Sequence, residues 1–221
     1  MRPVCTNYAP TRADRLKAFY DVEVGRTDYV DEAYPGYVAP ILRAGDGQRR
    51  ADLAVFGLIP PWSREGKDFR HCYNARSETV AEKPSFRHAW RTRQWCVIPA
   101  DGVYEPNYEA GKPVRWRIEH ADASPLSIAG IWEQWKSPGG EWVGSFSMLT
   151  INADAHAVMS RFHAPGDEKR SVVLLEHGQV DAWLHASHDE ARALLVPFDP
   201  QRVRVFSAPR PPARRSRGQP A

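Results

Sequence analysis

Cysteine is scarce in this sequence of 221 residues, where it occurs only as Cys5, Cys72 and Cys96. An odd number of cysteines without a C-x-x-C pair argues against a disulfide framework and against a zinc site, and it fits a reducing compartment. The sequence also lacks a phosphate-cradling glycine loop and the G-x-S-x-G and H-E-x-x-H motifs. We therefore expect no metal and no cofactor.

Long apolar runs are missing as well. No stretch approaches the roughly 18 apolar residues that are needed to span a bilayer. The amino-terminal part of the sequence contains no apolar segment typical of a secretory signal. These features predict a soluble, cytoplasmic protein with no membrane partner.

Lysine is also scarce in this sequence. Of the 30 basic residues only 6 are lysine and 24 are arginine, although the net charge is a modest +3. The planar fork of arginine suits phosphate better than lysine does. A GC-rich coding sequence produces the same excess, so the composition permits a nucleic-acid partner without establishing one.

The patterning that is present predicts a single domain over residues 1–206. The expected class is α+β, with a large, mainly antiparallel sheet that is curled or barrel-like and a few peripheral helices. One helix is expected to start with Thr11 as its cap, and two more are predicted over 155–162 and 179–195. Aromatic and β-branched runs with Gly and Pro boundaries predict strands over 37–43, 51–59, 93–98, 114–120, 126–135, 144–152, 171–175 and 202–206.

The last segment, residues 207–221, contains four Arg, four Pro and no apolar residue large enough to pack. This composition predicts a disordered basic tail. A solvated terminus is the favoured interpretation, and loose phosphate contact is the alternative.

Two places near the start and middle of the chain carry reactive or alternating polar groups. A cysteine such as Cys5 usually behaves as a small hydrophobic residue. Asn74, Arg76 and Glu78 alternate, so an extended backbone would place all three on one side. An exposed polar loop before a helix is the competing interpretation.

Glu105 and His163 are the other candidates. Glu105 follows an apolar strand, and a half-buried carboxylate there has a raised pKa that suits an acid or base, although many strand ends carry a glutamate. His163 lies in a loop containing Pro and Gly, where a lone histidine is more often inert. His185 and His188 have helical spacing for a metal pair, but no third ligand is evident, which favours a solvated helix face.

In this order, these residues resemble the SOS-response-associated peptidase (SRAP) family, whose members crosslink to abasic sites in DNA. The resemblance runs over most of residues 5–206. Each motif alone is weak, whereas an ordered series at plausible spacing is specific. The matching points are Cys5, Val38-Ala39-Pro40, FGLIPPW (56–62), NARSET (74–79), IPADGVYE (98–105), AGIWE (129–133), LTINA (149–153) and His163.

The resemblance implies chemistry at an amino-terminal cysteine. In that family the mature protein begins with the cysteine, so Cys5 would offer a free amine and a thiol to the aldehyde of an abasic site, closing a thiazolidine. Asn74 would orient the amine or the sugar, and Glu105 would be the general acid or base. His163 would move the proton for sugar opening, with His156 as the alternative histidine.

The same resemblance implies the DNA contacts. Arg76 would bind a flanking phosphate, and Trp62 would stack on a base. Pro40 and Arg170 would also contact DNA. The expected partner is single-stranded DNA with abasic sites, bound by a monomer that associates with the bacterial nucleoid.

The chain departs from the family pattern at three places. Cys5 is followed by Thr6-Asn7 instead of Gly-Arg, Tyr37 replaces an Asn before the Ala-Pro motif, and the usual short His-x-Arg segment is stretched over residues 163–170.

The position of Cys5 raises a further point. As written, its nitrogen is an amide, which cannot form an imine. Self-cleavage of residues 1–4 is one explanation. Translation from a GTG codon at Val4 is the favoured one.

Three functions remain in order of preference. The first is an abasic-site sensor that forms a covalent DNA–protein crosslink, with possible self-processing. The second is an amino-terminal-nucleophile amidase or peptidase that uses Cys5, Asn74 and Glu105 on an amide. The third is a non-enzymatic domain that binds single-stranded nucleic acid through arginine.

Overall fold

The computed structural model describes residues 6–210. Cys5 and residues 211–221 of the predicted tail lie outside the described residues. Within them the chain forms β1 (Asn7–Pro10), α1 (Ala13–Tyr20), β2 (Val38–Ala44), β3 (Arg49–Phe56), β4 (Asn74–Arg76), α2 (Arg87–Arg91), β5 (Trp95–Asn107), β6 (Val114–His120), β7 (Leu126–Lys136), β8 (Trp142–Asn152), β9 (Arg170–Val172), β10 (Leu174–Leu175), α3 (Val180–His185), α4 (His188–Ala193) and β11 (Val203–Ser207).

Five of these strands close into a barrel. Strands β2, β3, β8, β7 and β5 follow one another, and β5 pairs with both β2 and β7 to complete the ring. The pairings are antiparallel except where β3 and β4 run parallel to β8. The prediction of one α+β domain with a large, mainly antiparallel, barrel-like sheet is therefore confirmed.

The two faces of strand β5 show how the core is divided. Cys96 and Ile98 belong to a buried cluster inside the barrel, whereas Trp95 and Val97 belong to a second cluster that includes residues of the helices. Side chains alternate across a strand, so one apolar run serves both clusters. The continuous hydrophobicity of β5 follows from this double burial.

Gly130 on β7 is required by the close approach of strands in the barrel. A Cβ at this position would lie 2.3 Å from Cδ1 of Ile98 and 2.7 Å from the carbonyl oxygen of Ser147. Any side chain would therefore require Ile98 and the backbone of β8 to shift. The glycine of the AGIWE motif is explained by packing.

Several predicted helices differ from the structure. Helix α1 has Arg12 at its N-cap without a side-chain cap, so the predicted Thr11 cap is wrong. The segment 155–162 forms only a short 3₁₀ turn at Met159–Arg161. The segment 179–195 breaks between α3 and α4 because Ser187 caps α4.

The boundary of the predicted tail also moves. Strand β11 includes Ser207, and Ala208 exchanges two hydrogen bonds with Arg115, at 2.9 and 3.0 Å. The packed chain therefore extends past residue 206, where the sequence predicted the domain to end.

Candidate active site at the end of strand β5

Glu105 is placed by the alternation of strand β5. Val103 belongs to the cluster inside the barrel, and Glu105 follows it on the same face of the strand. Only 2% of Glu105 is exposed. A carboxyl group is therefore held at the end of an apolar core, as its position in the sequence predicted.

His163 is brought to Glu105 by contacts of the preceding residues with the same strand. Phe162 forms a β-bridge with Asn107, whose side chain donates to the carbonyl of Arg161 at 3.2 Å. The backbone N–H of His163 donates to the carbonyl of Pro106 at 3.0 Å. These contacts hold Nε2 of His163 3.3 Å from Oε2 of Glu105, with both side chains buried.

The environments of the two candidate histidines are different. Nδ1 of His156 accepts hydrogen bonds from the N–H groups of Val158 and Met159, both at 3.1 Å, and Nε2 donates to the carbonyl of Phe198 at 2.9 Å. Both of its nitrogens are thus used by backbone. Among the described residues, neither ring nitrogen of His163 has a hydrogen-bond partner of good geometry. Of the two candidates, His163 is therefore the one whose ring is not held by backbone hydrogen bonds.

Strand β1 runs antiparallel beside the part of β5 that precedes Glu105. Asn7 lies opposite Tyr104 and Tyr8 lies opposite Val103 in an antiparallel register. Each step toward the amino terminus therefore advances along β5 in the direction of Glu105. Cys5, the predicted nucleophile, lies outside the described residues.

Asn74 begins strand β4, which runs beside β8 in the register Asn74 to Met148. Its neighbour Tyr73 packs on Phe56 with ring centroids 5.9 Å apart, and Tyr8 packs on the same ring at 5.2 Å. This aromatic cluster joins the start of β4 to β1. The segment that carries Asn74 is therefore connected through packed rings to the strand that approaches Glu105.

The two arginines predicted to contact DNA have different environments. Arg170 is 2% exposed, and it donates two bonds of 2.8 Å to Glu78 and one of 2.9 Å to Glu168. Arg76 is partly exposed and pairs with Glu168 at 2.7 Å. The geometry does not support direct phosphate contact by Arg170, because burial and its carboxylate partners occupy its guanidinium.

The two carboxylates of this cluster stay ionised for a physical reason. Partial burial alone would raise the pKa of Glu78 and of Glu168. Hydrogen bonds from Arg170, further hydrogen bonds and the charge of the neighbouring arginines together outweigh that effect, so the pKa of each carboxyl lies below its ordinary value.

Trp62 and Pro40, the other two predicted DNA contacts, differ in exposure. Trp62 is 57% exposed on the loop that follows β3, and its Nε1 lies 3.4 Å from the carbonyl of Pro84. Pro40 is buried within β2 opposite Leu53. The ring of Trp62 is accessible to a binding partner, whereas the buried Pro40 is not, which argues against the predicted DNA contact at Pro40.

The thiols among residues 6–210 are unsuited to nucleophilic chemistry. Cys72 and Cys96 are buried and free, and burial raises the pKa of both thiols. A raised pKa leaves little thiolate at neutral pH.

Two other site types receive no support from the described residues. His185 and His188 lie on separate helices, and Nε2 of His188 lies 3.0 Å from the carbonyl of Trp90. No group of three metal-ligating side chains was found in the described part of the chain. A search of its helices found none with the length and apolar character to cross a membrane.

Two residues of the site were missed at the level of sequence. Asn107 holds the segment of His163, and its position two residues beyond Glu105 on the same face of β5 is a readable signal. Glu168 contacts both Arg76 and Arg170. Its only signal is its place in the stretched segment 163–170.

Residues 4–209 match the family described as SOS response associated peptidase (SRAP). The abasic site processing protein YoaM of Bacillus subtilis is 30% identical over 186 residues, covering 79% of this chain and 78% of that protein. The abasic site processing protein HMCES of Mus musculus is 27% identical over 176 residues, covering 65% of this chain and 48% of that protein.

Solved structures agree with this match. A crystal structure of a protein from Bordetella bronchiseptica superposes with a TM-score of 0.86 at 34% identity, covering 92% of this chain and 99% of that one. A protein from Bacteroides thetaiotaomicron, at 24% identity and a TM-score of 0.80, shares the fold over 92% of this chain and 91% of its own. Sequence match, barrel topology and motif order lead to one conclusion: the chain belongs to the SRAP family.

Proposed function

We propose that this protein detects abasic sites in single-stranded DNA and traps them as a thiazolidine crosslink through Cys5, acting as its amino-terminal residue. The observation that carries the proposal is the buried Glu105–His163 pair, next to which β1 places Asn7, two positions after Cys5 in the sequence, opposite Tyr104. The names of the relatives, abasic site processing proteins, support the same substrate.

The chemistry depends on an amine and a thiol on adjacent carbons. An α-amine has a pKa of about 7.7–8.0, so a substantial fraction is neutral near pH 7 and attacks the aldehyde of the opened sugar. Water leaves as the imine forms. The thiol sulfur then bonds to the imine carbon, its proton passes to the nitrogen, and a five-membered ring closes without any oxidant.

Glu105 and His163 supply the proton transfers in this proposal. Opening the sugar needs a proton removed from the hydroxyl on the anomeric carbon and one delivered to the ring oxygen. Nε2 of His163 and Oε2 of Glu105 are 3.3 Å apart, so a small reorientation of either side chain would align them for proton transfer, and the pair would serve as both base and acid. Asn74 would orient the amine or the sugar.

The strand itself would be held by one cation and one ring. Arg76 is partly exposed and would bind a flanking phosphate. Trp62, which is largely exposed, would stack on a base. Among the four predicted DNA contacts, these two have the exposure that the role requires.

The proposal requires Cys5 to carry a free amine. Translation from Val4, with removal of the initiator methionine, would achieve this, and self-cleavage of residues 1–4 would do the same. The intact mass of the protein isolated from its native source distinguishes these routes from a mature terminus at Met1, which would contradict the proposal.

The central experiment is a crosslinking gel with an oligonucleotide carrying one abasic site. A protein prepared with Cys5 as its first residue should form a band that survives heating in detergent. Cys5→Ala should form none, and Cys72→Ala, which removes a buried thiol, should retain the band. Equal binding of intact and abasic strands without a covalent band would favour a non-covalent binding domain. Turnover of a small amide without a DNA adduct would favour an amino-terminal-nucleophile peptidase.

A further inference from the structure

We propose that Glu168 is a built-in competitor of DNA, which occupies Arg76 until a phosphate displaces it. The inference rests on the proposed function for the role of Arg76. It assigns to the stretched segment 163–170 a task of its own, the suppression of binding to undamaged strands.

The ion pair is placed where a phosphate can compete for it. The side chains of Arg76 and Glu168 are 36% and 29% exposed, and the N···O distance is 2.7 Å. The side chain of Arg170 is only 3% exposed. Of the two arginines in this cluster, Arg76 is the one whose guanidinium a strand can reach.

The position of Glu168 is set by the fold around it. The adjacent residue, Lys169, donates its backbone N–H to Asp154 at 2.8 Å and accepts from the N–H of Ala153 at 2.8 Å. Its Nζ donates to the carbonyls of His163 and Ala164 at 3.2 and 2.9 Å. The segment is thereby tied to the chain beyond β8 and to its own base, which directs the carboxylate of Glu168 toward Arg76.

Glu168 also has partners that remain when Arg76 leaves. It accepts from Arg170 at 2.9 Å and from the side-chain amide of Asn152 at 3.3 Å. Moving Arg76 from carboxylate to phosphate therefore does not strand a buried charge. Breaking a partly exposed ion pair such as Arg76–Glu168 costs at most about 1 kcal/mol. A phosphate can therefore displace Glu168 reversibly, and the cost lowers the affinity for DNA.

The charge balance of the cluster predicts that neutralising Glu168 increases the affinity for DNA. Two arginines, Arg76 and Arg170, face two carboxylates, Glu78 and Glu168, so the cluster is neutral. Neutralising Glu168 leaves one positive charge next to the strand. Because a freed Glu168 takes up a cation when DNA binds, its removal should also steepen the salt dependence.

The test is fluorescence anisotropy with an intact single-stranded oligonucleotide, which requires no chemistry at Cys5. Glu168→Gln should bind about three- to fivefold more tightly at low salt, with a slope against log salt that is steeper by about 0.7. Asp189→Asn, on α4, makes the same change of net charge at a side chain that is 97% exposed, and it should bind like the wild type.

A double-mutant cycle isolates the pair. In the Arg76→Gln background, Glu168→Gln should change affinity no more than Asp189→Asn does. Equal affinities of Glu168→Gln and wild type would overturn the inference, as would the same gain in the Arg76→Gln background or no strand binding by any variant. A thermal melt confirms that each variant is folded.

The outcome is separable from that of the proposed function. A tighter Glu168→Gln variant together with no covalent band on abasic DNA would sustain the competitor and refute the crosslink. A covalent band together with an unchanged Glu168→Gln affinity would do the reverse.

Discussion

Nε2 of His163 lies 3.3 Å from Oε2 of Glu105, and both side chains are almost completely buried. The two residues are 58 positions apart in the sequence, and the contact exists because the segment before His163 bonds to the end of β5. This proximity, away from water, is what the proposed proton transfers require.

Replacing either member of this pair should slow the chemistry without unfolding the protein. Glu105→Gln keeps the shape of the side chain and removes the acid, so we expect crosslink formation to slow by about 100-fold or more. For His163, whose φ is 67°, asparagine is the suitable replacement because it tolerates this left-handed backbone conformation. Time courses with abasic oligonucleotide measure both rates. Wild-type rates in both variants would rule out a catalytic role.

His156 should behave in the opposite way. His156→Ala leaves two backbone N–H groups and one carbonyl without their partner, so the free energy of unfolding should fall by about 2–3 kcal/mol. The crosslinking rate of the folded protein should change less than about threefold. Urea unfolding followed by crosslinking at a permissive temperature makes the comparison. A strong loss of rate with normal stability would make His156 the catalytic histidine instead.

Arg170 should contribute to the free energy of unfolding, and its contribution should depend on pH. Arg170→Met leaves the Glu78 and Glu168 carboxylates without their main partner, and because these side chains are 48% and 29% exposed we expect a loss of about 1–2 kcal/mol. In the wild type the pKa of both carboxyls is lowered, so their contribution is complete above the ordinary value of about 4.3. It is lost as the pH falls through the lowered values. Unfolding measured from pH 3 to 7 should show this acid-sensitive component in the wild type, and its persistence in Arg170→Met would contradict the assignment.

Trp62→Ala should weaken strand binding without affecting stability, because the side chain is mostly exposed. A loss of about 1–3 kcal/mol of binding free energy is expected for a stacking ring, and Trp62→Phe should recover part of it. Trp142→Ala is the matched control, because this ring is 64% exposed. The Trp62 loop is held on the opposite face of the sheet, where Nε1 of Trp135 donates to the carbonyl of Ser63. Equal losses in both alanine variants would argue against a specific stacking role.

Gly130→Ala should destabilise the barrel, because the new methyl group would lie 2.3 Å from Ile98. Overpacking of this kind costs about 1–3 kcal/mol. Gly25→Ala has no atom within 4 Å of the added Cβ and should be close to neutral. The midpoint of thermal unfolding compares the two. A neutral Gly130→Ala would show that Ile98 and the β8 backbone can move aside without cost.

Most of the strands were predictable because they combine apolar or alternating residues with Gly and Pro boundaries, and β6 lies where it was expected, at Val114–His120. Strands β1 and β4 and the continuation of β5 to Asn107 were not predicted. The order of the motifs likewise identified Asn74, Glu105 and His163 as candidates. The break before α4 was also readable, since Ser187 and Glu190 form a capping box.

Other features depend on contacts between distant residues and were not readable. The burial of Arg170 is set by Glu78, which lies 92 positions away. The ring of His156 is held by the carbonyl of Phe198, which lies 42 positions away. Pro40 matches a motif, yet its place inside β2 follows from pairing with β3. In each case the residue type suggested chemistry, and tertiary packing decided whether the group is accessible.

The length of strand β5 has a consequence for variation within this fold. The same strand that closes the barrel runs on to carry Glu105 and to pair with β1 and β6. His163 and Trp62 instead lie on two separate connecting segments. A change of length in either segment would shift the residue that it carries, whereas the barrel itself fixes Glu105, so the position of this carboxyl is the least adjustable part of the arrangement.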